Sequence, residues 1–263
     1  MNDQSHILRQ GTSSVASSAN VLVSECSWEK LFAELQIILK QLDFIYFTYS
    51  SVPRSLGAPE SQFSLSKRSY GVDTQGSMPE QVVSRYYKEI ALADPLWQVL
   101  PGASQPLIVQ AERNSTSPQV DQFWERYDVY SRAYVPVGGR QDKYWFNYFG
   151  LYHGLPREQF MEIYHRISGV LLPLLERCHK LLQLGGERET NPYIRHSIFS
   201  ETCRQVLKMT ADGMSVKMIA YHLALTEEGV TYHITRAKKI FKARNKTQLI
   251  AMLYQSGVMS NKE

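Results

Sequence analysis

Residues 198–259 read IFSETCRQVLKMTADGMSVKMIAYHLALTEEGVTYHITRAKKIFKARNKTQLIAMLYQSGVM and decide the fold of the last part of the chain. Apolar residues recur there at helical spacing in four successive segments. Ser200, Ser215 and Thr226 precede the first three segments, where a hydroxyl can accept a hydrogen bond from a free helix N–H. Gly213 stands where the first helix must stop, and the fourth segment begins near Thr247. The spacing predicts four short helices around one small core. The predicted inward positions are Cys203, Val206, Leu207, Thr210, Val216, Ile219, Ala220, Leu223, Val230, Ile234, Ala237, Phe241, Leu249, Met252 and Leu253.

The second and third predicted helices have the layout of a helix-turn-helix. Only Ala224, Leu225 and Thr226 separate them, and in such a pair the second helix lies in the major groove of DNA. Residues 198–263 carry ten basic and five acidic side chains, whereas the whole chain has a formal net charge of only +4. Basic charge concentrated on one small domain is typical of phosphate contact. The alternative is a four-helix module with a solvated basic face.

Several residues of this stretch agree in register with one protein family. They are Ala211-Asp212-Gly213-Met214-Ser215, Ile219-Ala220, Leu223, Thr226, Val230, His233, Asn245-Lys246 and Gly257-Val258. This pattern resembles the LuxR-type helix-turn-helix of bacterial transcription regulators, and the resemblance implies a DNA-binding regulator. The family usually has a glutamate early in the first of these helices, and this chain has Cys203 there. The departure concerns a local structural contact rather than DNA binding.

Helical phase identifies the side chains of the third predicted helix that face away from the core. In proteins similar to this one, the positions just after Val230 enter the groove. We expect hydroxyl-bearing side chains there to reach base edges, where they donate or accept hydrogen bonds, and nearby basic side chains to contact phosphates. An ordinary surface position is the alternative for Tyr232. The predicted DNA-binding residues are Thr231, Tyr232, Thr235, His233, Arg236, Lys238, Lys239 and Lys217.

The composition is that of an ordinary globular chain with room for two domains. Of its 263 residues, 43% are hydrophobic and 21% are charged. Cys26, Cys178 and Cys203 lie far apart without metal-ligand spacing, which fits buried free thiols in a reducing cytosol. The first ten residues have no apolar signal-peptide core, and no apolar run approaches the roughly 18 residues of a membrane span. The sequence therefore predicts a cytoplasmic protein without a membrane partner.

The residues before the helix-turn-helix predict a second, mixed domain. Helices are predicted at 28–39, 80–91, from Ser117-Pro118 onward and at 156–184, and strands at 44–49, 63–69, 107–110, 133–137 and 144–153. The predicted fold class is therefore α+β: an α/β/α sandwich with an antiparallel sheet, followed by an all-α DNA-binding domain. The predicted boundaries are a disordered segment at 1–26, a ligand-sensing and dimerisation domain at 27–184, a linker at 185–197 and a DNA-binding domain at 198–263.

The last helix of the predicted sensing domain carries more apolar residues than one sheet face needs. This excess favours a homodimer, while Pro173 predicts a kink because it lacks an N–H and crowds the preceding turn. Gly185-Gly186 predicts the end of the helix and the start of the linker.

The first domain more weakly resembles the ligand-binding domain of LuxR-type quorum-sensing regulators, which bind N-acyl homoserine lactones. Met78-Pro79, Tyr86 and Asp94-Pro95 match the family's pocket signature if one residue is deleted before the aspartate. Val82 and Val109 stand at its two tryptophan positions, and its glycine is missing near Tyr127-Asp128. In the family, the first tryptophan donates to the lactone carbonyl, and the tyrosine and aspartate hold the acyl amide.

Valine cannot replace the donated hydrogen bond, a loss on the order of 1–3 kcal/mol. The departure therefore predicts a small-molecule signal other than an ordinary acyl homoserine lactone. The alternative is that Asp94-Pro95 only ends a helix and Tyr86 is a core residue. The predicted ligand-binding residues are Tyr86, Asp94, Val82, Val109, Tyr46, Trp97 and Trp124, with Phe123 and Trp145 as further aromatic candidates.

Catalysis has little support in the sequence. The histidines at positions 6, 153, 165, 179, 196, 222 and 233 show no metal-ligand spacing, and no phosphate loop or nucleophile motif is present. Asp94 and Glu89 could form an acid/base pair but have no third partner. The sequence predicts no enzyme activity, cofactor or metal. The predicted partners are double-stranded DNA with a pseudo-palindromic operator, a small-molecule signal and a second copy of the chain, with a related regulator or RNA polymerase as further candidates. A ligand-independent regulator, or a heterodimerising antagonist, is the other interpretation.

Overall fold

The computed structural model describes residues 27–53, 74–110, 117–138, 145–184, 191, 193 and 198–259. The predicted disordered segment 1–26 and the strand predicted at 63–69 lie outside these residues. In chain order the elements before position 185 are α1 (Trp28–Gln41), β1 (Phe44–Pro53), β2 (Gln75–Gly76), α2 (Glu80–Arg85), a π-helical turn (Tyr86–Ile90), α3 (Leu96–Val99), a 3-10 turn (Leu100–Gly102), β3 (Leu107–Gln110), α4 (Pro118–Glu125), β4 (Ser131–Val137), β5 (Trp145–His153) and α5 (Arg157–Leu184).

The five described strands form one antiparallel sheet in the order β2-β1-β5-β4-β3. Strand β5 lies at its centre, with Gly150 opposite Thr48 of β1 and opposite Tyr134 of β4. Strand β3 forms the far edge and places Val109 opposite Arg132. The antiparallel sheet that was predicted from the order of elements is confirmed.

Helices cover both faces of this sheet because the strand residues alternate between two apolar clusters. Phe149 and Leu151 of β5 point to the cluster that α1 and α5 complete. Phe146, Tyr148 and Tyr152 of the same strand point to the cluster that α2, α3 and α4 complete. The predicted α/β/α sandwich is therefore confirmed, and the second cluster is rich in tyrosine and tryptophan.

Many apolar residues of helix α5 pack in the first apolar cluster of the same chain. Phe160, Leu171 and Leu175 are fully buried in the first cluster, and Ile163 and Val170 pack against it. The helix runs through Pro173 without ending. Ile163 and Val170 are only partly buried and Leu184 is exposed, and the homodimer that the apolar excess suggested remains a proposal.

Four helices follow in the C-terminal part: α6 (Glu201–Ala211), α7 (Val216–Leu223), α8 (Glu227–Phe241) and α9 (Lys246–Gln255). The predicted caps of the first three helices are present. Each hydroxyl accepts a hydrogen bond from the backbone N–H three residues later: Ser200 from Cys203, Ser215 from Met218 and Thr226 from Gly229. Gly213, with φ of +84°, follows α6 in the left-handed conformation that favours glycine. The predicted inward positions are buried or partly buried in two adjoining clusters.

Two residues of the predicted linker pack with these helices. Tyr193 is buried, and its ring stacks on Phe199 and Phe241 with centroid distances of 6.2 and 4.9 Å. Asn191 is also buried and donates its side-chain N–H to the Ser256 carbonyl at 2.7 Å. The packed C-terminal unit therefore includes residues that precede position 198. Among the described helices, none combines the length and the apolar character needed to cross a bilayer.

Candidate functional site

The outer face of α8 carries the side chains that were predicted to read DNA bases. Thr231, Tyr232 and Thr235 are all exposed, and 63% of the Tyr232 surface is accessible. The opposite face of the same helix is fixed by the buried Val230 and Ala237. Because the inner face is anchored in the core, the three hydroxyl-bearing side chains are presented together on a rigid helix.

The predicted phosphate-contacting residues divide into two groups. Lys217 of α7 and Lys239 of α8 are exposed, and Lys238 is half-buried. Arg236 is also half-buried, and its Nη2 donates to the Ile198 carbonyl at 3.0 Å. Its guanidinium therefore ties α8 to the segment before α6. We therefore assign Arg236 the structural role of holding α8 to this segment. The exposed lysines are better placed than Arg236 to contact phosphates.

Cys203, which stands where the family usually has a glutamate, belongs to the apolar cluster of the C-terminal helices. Cys203 is fully buried, and burial raises the pKa of its thiol to about 11, although the nearby Arg236 opposes the rise. Arg236, which acts on this thiol, donates to the Ile198 carbonyl. His233 lies half-buried beside this group, where burial and Arg236 both lower its pKa.

The N-terminal part holds a small cavity against the aromatic face of the sheet. Its volume is about 20 Å³, which is room for a single water molecule. The lining combines aromatic faces with hydroxyl groups from the sheet, the helices and the segment before β2. The lining residues are Thr48, Ser50, Thr74, Met78, Val83, Tyr86, Tyr87, Leu96, Trp97, Trp124, Tyr134, Tyr148 and Tyr152.

A buried hydrogen-bond network joins this lining to Asp94, which is 4% exposed. The Tyr86 hydroxyl donates to Asp94 Oδ2 at 2.8 Å and accepts from the Trp97 indole N–H at 3.1 Å. Arg132 Nη1 donates to the same carboxylate oxygen at 3.1 Å, and the Leu96 backbone N–H donates to Oδ1 at 3.0 Å. Both oxygens of Asp94 are therefore engaged by protein groups.

The electrostatics of the network favour a charged Arg132 beside neutral tyrosines. Burial works against the guanidinium charge, but Tyr134 and Asp94 outweigh it and raise the pKa of Arg132. Burial and the Asp94 carboxylate raise the pKa of Tyr86 well above its usual range. Burial likewise raises the pKa of Tyr134 to about 12, although Arg132 opposes the rise. Near neutral pH the network therefore holds one ion pair and uncharged hydroxyls.

Several residues of this network and of the cavity lining pack around Trp124 of α4. The Arg132 guanidinium carbon lies 5.3 Å from its ring centroid, and the Tyr86 and Tyr152 rings lie 5.2 and 5.0 Å away. Its buried indole N–H has no hydrogen-bond partner among the described residues. Trp124 thus contributes an aromatic wall to the cavity and an unpaired donor nearby.

The structure places the predicted ligand-binding residues in two zones. Tyr86, Trp97 and Trp124 line the cavity, and Asp94 bonds the lining residue Tyr86. The remaining predicted residues belong to the apolar cluster around the cavity but not to its described lining; they are Val82, Val109, Tyr46 and Phe123.

Trp145 does not join this site. It begins β5 and packs against the C-terminal cluster, with its ring 6.4 Å from Tyr193. The expectation that Trp145 belongs to the aromatic cavity is wrong because neighbouring strand residues face opposite sides, and Phe146 takes the cavity side.

Sequence reasoning missed Arg132 and the strand tyrosines. Arg132 and Tyr134 alternate along β4, and Tyr148 and Tyr152 share one face of β5. The period-two pattern of these residues was a usable signal, since polar and aromatic side chains at alternate strand positions face the same side. What the pattern does not reveal is that Arg132 meets Asp94, which lies 38 residues earlier.

The acid/base pair considered for catalysis does not form. Glu89 is exposed and pairs with Arg85 at 3.2 Å, whereas Asp94 is buried and pairs with Arg132. Within the described part of the chain, no group of three histidine, cysteine, aspartate or glutamate side chains is arranged to hold a metal ion.

Comparisons with known proteins bear on the C-terminal part. Residues 197–253 match the sequence profile described as "Bacterial regulatory proteins, luxR family". No curated protein matches the chain. Among solved structures, SdiA in complex with octanoyl-rac-glycerol is similar at 16% identity and a TM-score of 0.46, over 97% of this chain and 98% of that one. A crystal structure of Escherichia coli SdiA is similar at 17% identity and a TM-score of 0.45, over 90% and 94% of the two chains. The segment 197–253 is a domain of the luxR family of bacterial regulatory proteins.

Proposed function

We propose that this chain is a cytoplasmic DNA-binding transcription regulator of the LuxR type. The observation that carries the proposal is the outer face of α8, where Thr231, Tyr232 and Thr235 are exposed together with the Lys239 side chain. The luxR-family match over the same helices supports it. Hydroxyl groups at base edges supply sequence preference, and the lysines supply affinity that does not depend on sequence.

The regulator acts as a homodimer in this proposal. Two copies of α8 would read a pseudo-palindromic operator whose half-sites lie about one helical turn, roughly 34 Å, apart. The Arg236 contact to Ile198 fixes α8 to the rest of its domain, so the spacing of the two helices depends on how the domains pair.

The test is selection of DNA sites from a random pool by the full-length chain, followed by affinity measurements at several salt concentrations. We predict that Thr231→Ala and Tyr232→Ala relax sequence preference, at a cost of about 1–3 kcal/mol on the selected site and little on random DNA. Lys239→Ala should weaken binding to all sites evenly and reduce the salt slope by about one unit.

Matched exposed residues of α6 provide the controls. Thr202→Ala and Lys208→Ala change the same residue types at exposed positions outside α8. They should leave sequence preference unchanged. A uniform loss for Thr231→Ala, Tyr232→Ala and Lys239→Ala alike would contradict the division into base-reading and phosphate-contacting residues.

We further propose that the N-terminal domain controls this DNA binding, in one of two ways. The first is binding of a small-molecule signal at the cavity beside Tyr86, Asp94 and Trp124, with Val82 disfavouring an ordinary acyl homoserine lactone. In the second, the N-terminal domain binds no signal, and the chain is a ligand-independent regulator or an antagonist that forms heterodimers with a related regulator. The protein donors that already occupy both oxygens of Asp94 support the second form.

Mass spectrometry of the full-length protein under native and then denaturing conditions separates the two forms. A stoichiometric bound metabolite would support the first, and a stoichiometric acyl homoserine lactone would refute the argument from Val82. A folded, empty chain that binds its selected DNA would support the second form.

A further inference from the structure

The carboxylate of Asp94 is a buried charge that needs compensation. Its side chain is 2% exposed, and transfer of an ionised carboxylate from water into such surroundings is unfavourable unless it is paired and hydrogen-bonded. Within the described part of the chain, Leu96 and Tyr86 supply two neutral donors to it, and Arg132 supplies the positive charge. The compensation therefore comes from the chain itself.

Arg132 is held in position from several sides. Its backbone lies in β4 between Val109 of β3 and Tyr152 of β5. Its guanidinium lies over the Trp124 ring, and its side chain is 3% exposed. A guanidinium fixed by the sheet and by an aromatic face loses little freedom when it bonds the carboxylate.

We propose that Arg132 is a built-in counter-ion that holds Asp94 and Tyr86 in their folded arrangement, so that the N-terminal domain folds without a bound small molecule. Arg132 is a positioning residue: it acts on the cavity through Asp94, whose carboxylate orients the Tyr86 hydroxyl. This inference rests on the ligand-independent form of the proposed function and gives it a physical cause.

The proposal predicts what happens when the arginine side chain is removed. Arg132→Ala leaves a buried carboxylate with two neutral donors and a space of guanidinium shape beside Trp124. Such a site is complementary to a small planar cation that can donate to a carboxylate and lie on an aromatic ring. The variant should therefore gain a dependence on a small-molecule cation that the unmodified chain lacks.

The experiment follows the thermal unfolding midpoint of the full-length chain by tryptophan fluorescence. Three of the four tryptophans, Trp28, Trp97 and Trp124, lie in the clusters of the N-terminal part, and Trp145 packs against the C-terminal cluster, so most of the signal reports the N-terminal part. We expect Arg132→Ala to unfold several degrees below the unmodified chain. Millimolar methylguanidinium should raise the midpoint of the variant with increasing concentration but not that of the unmodified chain. Tetramethylammonium, which has no N–H donor, should have no such effect.

A second variant keeps the test decisive if Arg132→Ala folds poorly. Asp94→Asn combined with Arg132→Ala removes the uncompensated charge, and the double variant should unfold closer to the unmodified chain than Arg132→Ala does. Arg126→Ala, at an exposed position after α4, is the control for loss of an arginine and should change little.

Two outcomes would overturn the proposal. One is an Arg132→Ala chain as stable as the Arg126→Ala control. The other is a destabilised Arg132→Ala chain that neither methylguanidinium nor Asp94→Asn restores, because Arg132 would then stabilise the domain by packing on Trp124 alone. Fluorescence unfolding involves no DNA, so these outcomes are separate from the DNA-binding test of the proposed function.

Discussion

Among single residues, His179 of α5 is an ionisable group buried in the first apolar cluster. It is fully inaccessible, and its Nδ1 lies 2.9 Å from the Tyr49 hydroxyl. Its Nε2 has no hydrogen-bond partner among the described residues, and a side chain at Gly138 would begin only 2.5 Å from that nitrogen. Burial lowers the pKa of His179 to about 4; Glu176 opposes this effect and Lys180 adds to it.

This pKa predicts that the protein loses stability in mild acid. The unfolded histidine, with a pKa near 6.5, binds a proton that the folded one resists, so the contribution is present above about pH 6.5 and is lost as the pH falls toward 4. The full loss is on the order of 3 kcal/mol. The free energy of unfolding from urea titrations between pH 7.5 and 4 measures this loss. His179→Gln should flatten this pH dependence, whereas His165→Gln, at an exposed position of the same helix, should not. Equal slopes for both variants would refute the assignment.

At the scale of elements, the start of α8 is stabilised by a hydrogen bond in its first turn. The Thr226 hydroxyl accepts from the Gly229 N–H at 3.0 Å, and a methyl group at Gly229 would lie 3.3 Å from the same oxygen. Glycine at this position therefore leaves room for the cap. The cap sets the start of the helix that carries Thr231 and Tyr232, so it links helix stability to DNA binding.

We predict that Thr226→Ala destabilises the C-terminal helices by about 1 kcal/mol. Affinity for all DNA sites should fall with it, because the first turn of α8 frays, while sequence preference is kept. Far-UV circular dichroism of thermal unfolding and DNA titration measure the two effects. Thr226→Ser retains the hydroxyl and should restore both. A serine variant as weak as the alanine variant would show that the methyl group, not the cap, is responsible.

The elements differ in how much of them the sequence predicts. The four C-terminal helices follow from it because their caps and inward positions, such as Ser215 and Val230, depend on neighbours three or four residues away. Most of the strands also followed from local alternation. The sheet brings Arg132 to Asp94 and sends Trp145 away from the cavity, and both outcomes depend on pairing between distant strands. The sequence alone could not predict which side chains meet at the cavity, because that depends on how strands distant in sequence pair.

At the scale of the whole molecule, an aromatic contact between described residues joins the sheet to the C-terminal helices. Trp145 at the start of β5 meets Tyr193, and Tyr193 stacks on Phe241 at the end of α8. The next residue along β5, Phe146, belongs to the cluster around the cavity. A shift of β5 would therefore act directly on the residue that supports the end of the candidate recognition helix.

We predict that the two sides of this contact respond differently to truncation. Tyr193→Ala removes a buried ring from the C-terminal core and should destabilise the C-terminal helices by about 3–5 kcal/mol. Trp145→Ala removes only the half-buried partner on the sheet, so it should leave those helices folded but free the two parts to move apart. Small-angle X-ray scattering of Trp145→Ala should then give a larger radius of gyration than the unmodified chain, with DNA binding retained.

Trp28→Ala is the control for this experiment, because Trp28 is a half-buried tryptophan that packs on Phe32 and Tyr49 within the N-terminal cluster. It should lower stability without changing the radius of gyration of the folded chain. If Trp145→Ala and Trp28→Ala give the same radius as the unmodified chain, the Trp145–Tyr193 contact does not hold the two parts together. A change in the conformation of β5 would then have to reach α8 through other contacts. If only Trp145→Ala expands the molecule, this contact is the mechanical link through which the state of the cavity can reach the DNA-binding helices.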